Sequence, residues 1–190
     1  MPQIKLGYAF CGSFCTINDS LKELRKLAEK EFEITPIFSE IVACSDTRFT
    51  KCAVLREEVE KICKNKVIST VVDAEPIGPK KLFDILVVCP CTGNTLAKLA
   101  NSITDSSVTM AVKAHLRNNR PVVLAIATND ALAGSAKNIG ILLNTKNIYF
   151  VPFAQDDAIN KEKSLISDFS LLEDTVYSAL GGKQSAPLLI

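Results

Sequence analysis

The feature that most limits the fold is a pair of apolar runs that never alternate with polar residues. Asp84–Cys89 reads DILVVC and Pro121–Ala127 reads PVVLAIA. A strand with one wet face alternates; strands buried on both faces of a parallel sheet read as continuous apolar runs. Each run stops abruptly in small polar residues, and helical spacing follows. The first gives way to PCTGNT (Pro90–Thr95), then to helical stretches at Thr95–Ala100 and Val108–Leu116. The second gives way to Asn129–Leu143, which opens with loop chemistry and ends helical.

The same alternation runs along the rest of the chain. Ile4–Phe10 (IKLGYAF) reads as the first strand, and Glu33–Phe38 (EITPIF) as the second, where Pro36 suggests an edge or a bend. Val67–Val72 (VISTVV) is a β-rich run, and Ile148–Phe153 (IYFVPF) reads as the last strand. Leu21, Leu24, Leu27 and Ala28 predict an amphipathic helix over Ser20–Lys30. Val54, Leu55, Val59, Ile62 and Cys63 predict another over Phe49–Cys63. Leu165, Ile166, Phe169, Leu172, Val176 and Leu180 predict a final helix over Ser164–Leu180. Ala74–Pro79 is a loop by its Pro and Gly content. The expected fold class is α/β: one doubly wound parallel sheet of about five to six strands, with helices on both faces. Residues 1–180 form the expected single domain, and 181–190 a tail that is loose or docked on a neighbour.

Composition removes several classes of function. With 190 residues, 47% of them hydrophobic, the chain has the length to bury a full core. A net charge of +1 gives no electrostatic footprint for nucleic acid. No apolar run approaches the roughly 20 residues that cross a bilayer. The opening MPQIKLGYAFCG is too short and too poor in basic residues for a signal peptide, so the expected location is cytoplasmic. The seven cysteines are odd in number and include no C-x-x-C pair, and His115 is the only histidine. A disulfide framework and a zinc site are both disfavoured, leaving reduced thiols that are buried or line a site.

Ligands of open α/β sheets bind beyond the carboxyl ends of the strands. Four strand-end segments therefore invite comparison: CGSFCT (Cys11–Thr16), SEIVACSDTRF (Ser39–Phe49), PCTGNT (Pro90–Thr95) and ATNDALAG (Ala127–Gly134). All are rich in small residues, hydroxyls or amides, and each precedes a helix whose N-terminus offers unpaired amides. Such residues also cap helices and make turns in any α/β protein. Four of them on one sheet edge favour a phosphate cradle. Neither G-x-G-x-x-G nor a phosphate-loop Lys-Ser/Thr pair is present, which points to a mononucleotide held by hydroxyls and backbone, as in flavodoxin-like, Rossmann-like folds.

PCTGNTLAKLANSITD (Pro90–Asp105), with Gly12-Ser13 in the first loop and Thr128-Asn129 in the fourth, resembles the signature of the flavoprotein decarboxylase superfamily. That family binds FMN and includes phosphopantothenoylcysteine decarboxylase, lantibiotic cysteine decarboxylases and flavin prenyltransferases. The resemblance runs in order from about Ile4 to Phe153. It implies an FMN site at Gly12, Ser13, Phe14, Ser39, Pro90, Thr92, Gly93, Asn94, Thr95, Ala127 and Thr128, with Asn129 aimed at substrate. It also implies a homo-oligomer, a trimer or a multiple of trimers, with the flavin near an interface between protomers. The longer strings AEPIGPKK, VTMAVKAHLRNNRPVVLAIATNDAL and KNIYFVPFAQDD resemble one branch of the family, found in endospore-forming bacteria. There the flavoprotein works in the mother cell beside a dehydrogenase-like partner that carries NAD(P), and a dihydro precursor becomes an aromatic pyridine dicarboxylate.

The departures from the pattern carry information. The decarboxylases place a catalytic His before the central strand, where this chain has Glu75–Lys81 (EPIGPKK). Ser102 stands where a Gly precedes the Asp corresponding to Asp105, and the Pro-Met-Asn turn is Ala127-Thr128-Asn129. Cysteine-type decarboxylation is therefore in doubt, and no catalytic residue is assigned. A small dicarboxylate substrate needs cations, and Lys80, Lys81, Lys98, Lys113 and Arg117 are candidates by type, with Lys98 read as structural or phosphate-related and Arg117 as a helix-face residue. Three other readings stay open: a non-catalytic scaffold or product-binding component, an FMN-dependent decarboxylase, and a prenyltransferase-like enzyme.

Overall fold

The computed structural model describes residues 3–190. Its strands are β1 (Ile4–Phe10), β2 (Phe32–Phe38), β3 (Ile85–Cys91), β4 (Val122–Thr128), β5 (Ile148–Phe150), β6 (Phe153–Ala154) and β7 (Leu165–Ser167). Its helices are α1 (Ile17–Ala28), α2 (Glu40–Cys44), α3 (Cys52–Cys63), α4 (Val71–Ala74), α5 (Gly93–Ala100), α6 (Ser107–Leu116), α7 (Ala136–Leu143) and α8 (Leu172–Leu180). The fold is α/β and flavodoxin-like: five strands run parallel in the order β2-β1-β3-β4-β5.

Successive side chains of a strand point to opposite faces. In β3, Ile85, Val87 and Cys89 join one core with Leu21, Leu24 and Leu27 of α1, Leu55 and Val59 of α3, and Val176 of α8. Leu86 and Val88 join the other, with Leu96 of α5, Val108 and Val112 of α6, and Ile139 and Leu142 of α7. Both faces are dry, which is why DILVVC and PVVLAIA do not alternate. Of the edge and the bend that Pro36 suggests, the structure shows an edge strand: β2 pairs with β1 on one side and carries a single bridge, at Ile68, on the other.

Three expectations change. Val67–Val72 is not a strand: Ile68 bridges β2 through Phe38 N–H to Ile68 O (2.8 Å), and Thr70 then caps α4 by accepting from Asp73 N (3.0 Å). A cap at Thr70 outweighs the β-propensity of the valines. Ser164–Leu180 is not one helix: Leu165–Ser167 forms β7, antiparallel to Ala127–Thr128, and the helix begins only at Leu172. β5 covers only Val122–Leu124 of β4, so the remaining edge recruits β7 and makes the sheet mixed. Ser167 closes the gap, its Oγ accepting from Ile126 N (2.8 Å) and donating to Val151 O (3.1 Å). The tail docks on its own chain: Phe153 N–H donates to Leu188 O (3.0 Å), and the Gln184 amide pairs with both backbone groups of Phe150 (2.8 and 2.6 Å).

Candidate functional site

The chain steps from β1 outward to β2, then returns to β3 and proceeds the other way to β4 and β5. The strand order thus reverses between β1 and β3, where such sheets open a crevice at the carboxyl ends. Two adjoining cavities of about 530 and 370 Å³ lie there and share Gly12 and Thr92. The larger is lined by Gly12, Ser13, Phe14, Thr92, Gly93, Ala127, Thr128 and Asn129, among others. The smaller is lined by Cys11, Gly12, Ser39, Thr92, Asn94 and Thr95, among others. The fold therefore brings these sequence-selected residues into one crevice. Pro90 is the exception: it is buried within β3, and its carbonyl accepts from Cys11 N (3.3 Å). The β3–β4 register slips between Val88 and Cys91, so the proline shapes the strand end and does not line the crevice.

Proton placement divides the hydroxyls into donors and acceptors. Thr16 Oγ1 donates toward Ser13 O (2.9 Å) and Ser13 Oγ (3.0 Å), so the Ser13 proton, in long contact only with Cys15 Sγ (3.9 Å) among the described residues, can turn to a ligand. Thr128 Oγ1 is committed as a donor to Asp130 Oδ1 (2.5 Å), so it faces a ligand only as an acceptor. Ser135 Oγ donates to the same carboxylate (3.0 Å). Thr92 caps α5, its Oγ1 accepting from Thr95 N (3.3 Å), and the Gly93 and Asn94 amides fall in the first turn, where a helix has no internal acceptors. Ser39 Oγ is buried and has no hydrogen-bond partner among the described residues. A buried hydroxyl left unpaired costs about 1–3 kcal/mol, so it calls for a ligand atom.

Gly93 has a different origin from the one its loop suggests. A Cβ there would lie 2.6 Å from Thr128 Oγ1, 2.8 Å from Asp130 Oδ1 and 2.8 Å from Ser135 Oγ. The residue is small because the hydrogen-bonded group from the β4–α7 loop packs against its backbone.

The buried thiols of Cys11 and Cys89 are held in the neutral form. Burial pushes Cys11 up to about 11, although Thr95 Oγ1 donates to its sulfur (3.2 Å), and pushes Cys89 up to about 12. All seven cysteines are free. His115 is buried on α6, away from the crevice, and its Nε2 donates to Pro121 O (3.1 Å). Burial lowers its pKa to about 4, so it is a neutral structural group.

The cations fall differently from their selection by type. Lys80 and Lys81 do not line the crevice, and Lys113 and Arg117 border a separate apolar groove with α5 and α7. Lys98 lines the smaller cavity but is paired with Asp105 (2.9 Å). The crevice instead presents Arg48 and Lys161, with Phe49, Asp130 and Asp156. Arg48 lay within the quoted strand-end segment Ser39–Phe49, so its position was the available signal. Lys161 belongs to a loop after β6 and had none. Among the described residues no group of acidic, histidine or cysteine side chains is arranged to hold a metal, and no helix is long and apolar enough to cross a membrane.

Residues 1–178 match the family model described as Flavoprotein. The chain is 41% identical over 186 residues to the B subunit of dipicolinate synthase from Bacillus subtilis (strain 168), covering 98% of this chain and 93% of that protein. The crystal structure of the dipicolinate synthase B subunit from Bacillus halodurans superposes with a TM-score of 0.91 at 40% identity, over 98% of this chain and 96% of that one. An FMN-dependent cysteine decarboxylase of thioviridamide biosynthesis shares the fold at a TM-score of 0.66 and 19% identity, over 94% and 99% of the two chains.

Proposed function

Because the chain belongs to the Flavoprotein family, we propose that it is the FMN-carrying half of a two-component dipicolinate synthase. With the synthase's dehydrogenase-like A subunit, which carries NAD(P), it converts a dihydrodipicolinate-level precursor to dipicolinic acid during sporulation, in the mother-cell cytoplasm. It is inactive alone. The relatives of 41% and 40% identity support the assignment. The observation that carries it is the crevice at the β1/β3 reversal, which contains a buried hydroxyl without a partner, Ser39 Oγ.

The residues present fit FMN. Ser13 offers a proton and the α5 N-terminus offers the Gly93 and Asn94 amides, a donor set suited to phosphate. Thr128, fixed as an acceptor by Asp130, suits a hydroxyl or ring N–H. When bound, a flavin supplies a two-electron acceptor for the loss of two hydrogens that makes the ring aromatic. The protein's share is to hold and orient the reactants. Asn129 lines the larger cavity beside Ser164 and is the proposed substrate contact. A decarboxylase-like course has less support, because the chain's one histidine is buried and neutral outside the crevice.

Ile41, Leu132 and Ile159 are exposed large apolar side chains on segments around the crevice. They favour a homo-oligomer, a trimer or a multiple of trimers, that covers this rim.

The test is the visible spectrum of the purified chain, with mass analysis of what denaturation releases, followed by dipicolinate formation with the dehydrogenase-like partner and a pyridine nucleotide. A flavin spectrum, released FMN and activity only with both components are expected. A colourless chain that takes up no FMN refutes the flavin assignment. Full activity without the partner refutes the division of labour. Undiminished activity with a redox-inactive FMN analogue reduces the chain to a scaffold.

A further inference from the structure

A pyridine dicarboxylate is a flat ring between two anionic groups, and the proposed function requires a place for both features. Three cations line the crevice: Lys98, Lys161 and Arg48. Lys98 is paired with Asp105 (2.9 Å) and Lys161 with Asp156 (2.8 Å). Arg48 has no carboxylate within ion-pair distance among the described residues. Asp46, the nearest acid in sequence, is engaged with Cys52 N (3.0 Å). The Arg48 guanidinium lies 4.8 Å from the centroid of the Phe49 ring, and Phe49 is 43% exposed.

The loop that carries this pair is built, not slack. Thr47 N–H donates to Thr50 O (3.0 Å), while Thr47 Oγ1 accepts from Phe49 N (3.2 Å) and Thr50 N (3.3 Å). The turn fixes the backbone and presents Arg48 and Phe49 at its tip. Stacking on an aromatic face favours an Arg that is poised to take a carboxylate through two parallel N–H bonds.

We propose that Arg48 and Phe49 form a carboxylate subsite of the crevice, in which Arg48 binds one carboxylate of a planar dicarboxylate and Phe49 covers the adjoining ring. This rests on the dicarboxylate reading of the site and names the residues that select its substrate class. Among the described residues Arg48 is the crevice cation left unneutralised, so an entering carboxylate breaks no existing ion pair there.

The experiment is isothermal titration of the FMN-loaded chain with pyridine-2,6-dicarboxylate and with pyridine-2-carboxylate. The wild type prefers the diacid. Arg48→Gln weakens diacid binding about 10- to 100-fold, the worth of a charge-assisted hydrogen-bonded pair, and erases the preference. Arg48→Lys recovers part of the affinity, Phe49→Ala weakens both acids, and FMN content is unchanged in all three. Wild-type affinity in Arg48→Gln refutes the subsite and leaves the flavin reading standing. Loss of FMN from Arg48→Gln also refutes it, and assigns Arg48 to the flavin phosphate. A wild-type chain that retains FMN but binds neither acid refutes the subsite and the dicarboxylate reading together.

Discussion

Gly93→Ala isolates the reason for the smallest residue in PCTGNT. The added methyl would meet three oxygens at 2.6, 2.8 and 2.8 Å, all closer than the 3.0 Å that real Cβ atoms keep. Those oxygens belong to Thr128, Asp130 and Ser135, which are bonded to one another and cannot yield independently. Overpacking of this kind costs about 1–3 kcal/mol, and a broken hydrogen bond to the Asp130 carboxylate adds about 1.5–3 kcal/mol. For a chain of this size about 1 kcal/mol lowers Tm by about 2–4 °C, so a fall of about 5–24 °C is expected in the FMN-free protein. Differential scanning calorimetry of Gly93→Ala, Asp130→Ala and the double variant forms a mutant cycle. The methyl should cost far less once Asp130 is shortened. An unchanged Tm, or a penalty that persists in full in the Asp130→Ala background, would refute the packing argument and restore close ligand approach as the reason for the glycine.

Ser39→Ala removes the unpartnered hydroxyl, so it should leave the FMN-free chain as stable as wild type, or slightly more so, while weakening FMN binding about 5- to 10-fold, for the loss of about 1 kcal/mol. Calorimetry and fluorescence titration read the two effects separately, and equal loss in both would mean that Ser39 is structural. His115 gives a pH prediction. Its folded pKa lies near 4, below the ordinary 6.5, so the unfolded chain binds the extra proton between those values and stability falls as pH drops from about 6.5 toward 4. The gap corresponds to about 3 kcal/mol. Urea unfolding from pH 7 to 4 should be steeper in wild type than in His115→Gln, and parallel profiles would contradict the neutral assignment.

The parts of the fold that were legible in sequence are those where one physical demand dominates. β1, β3 and β4 are buried on both faces, so their apolar runs announce them, and β1 spans the residues expected of it. The crevice loops were visible as a group because a sheet of this class gathers its strand ends on one side. β7 was not visible, since its cause lies in another element: β5 leaves half of β4 uncovered, and Leu165–Ser167 answers a backbone edge that no periodicity in Ser164–Leu180 records. Cations were misplaced for a related reason. Residue type says that a lysine is charged but not whether an acid already neutralises it, and that distinction separates Lys98, bound to Asp105, from Arg48, stacked on Phe49 without an ion pair. The same logic governs the hydroxyls. Ser13 and Thr128 look alike in a strand-end loop, yet Thr16 leaves the first a donor and Asp130 makes the second an acceptor. Recognition in this crevice therefore depends on the neighbours that fix each proton and charge, and for Thr128 that neighbour, Asp130, belongs to the loop that packs against Gly93.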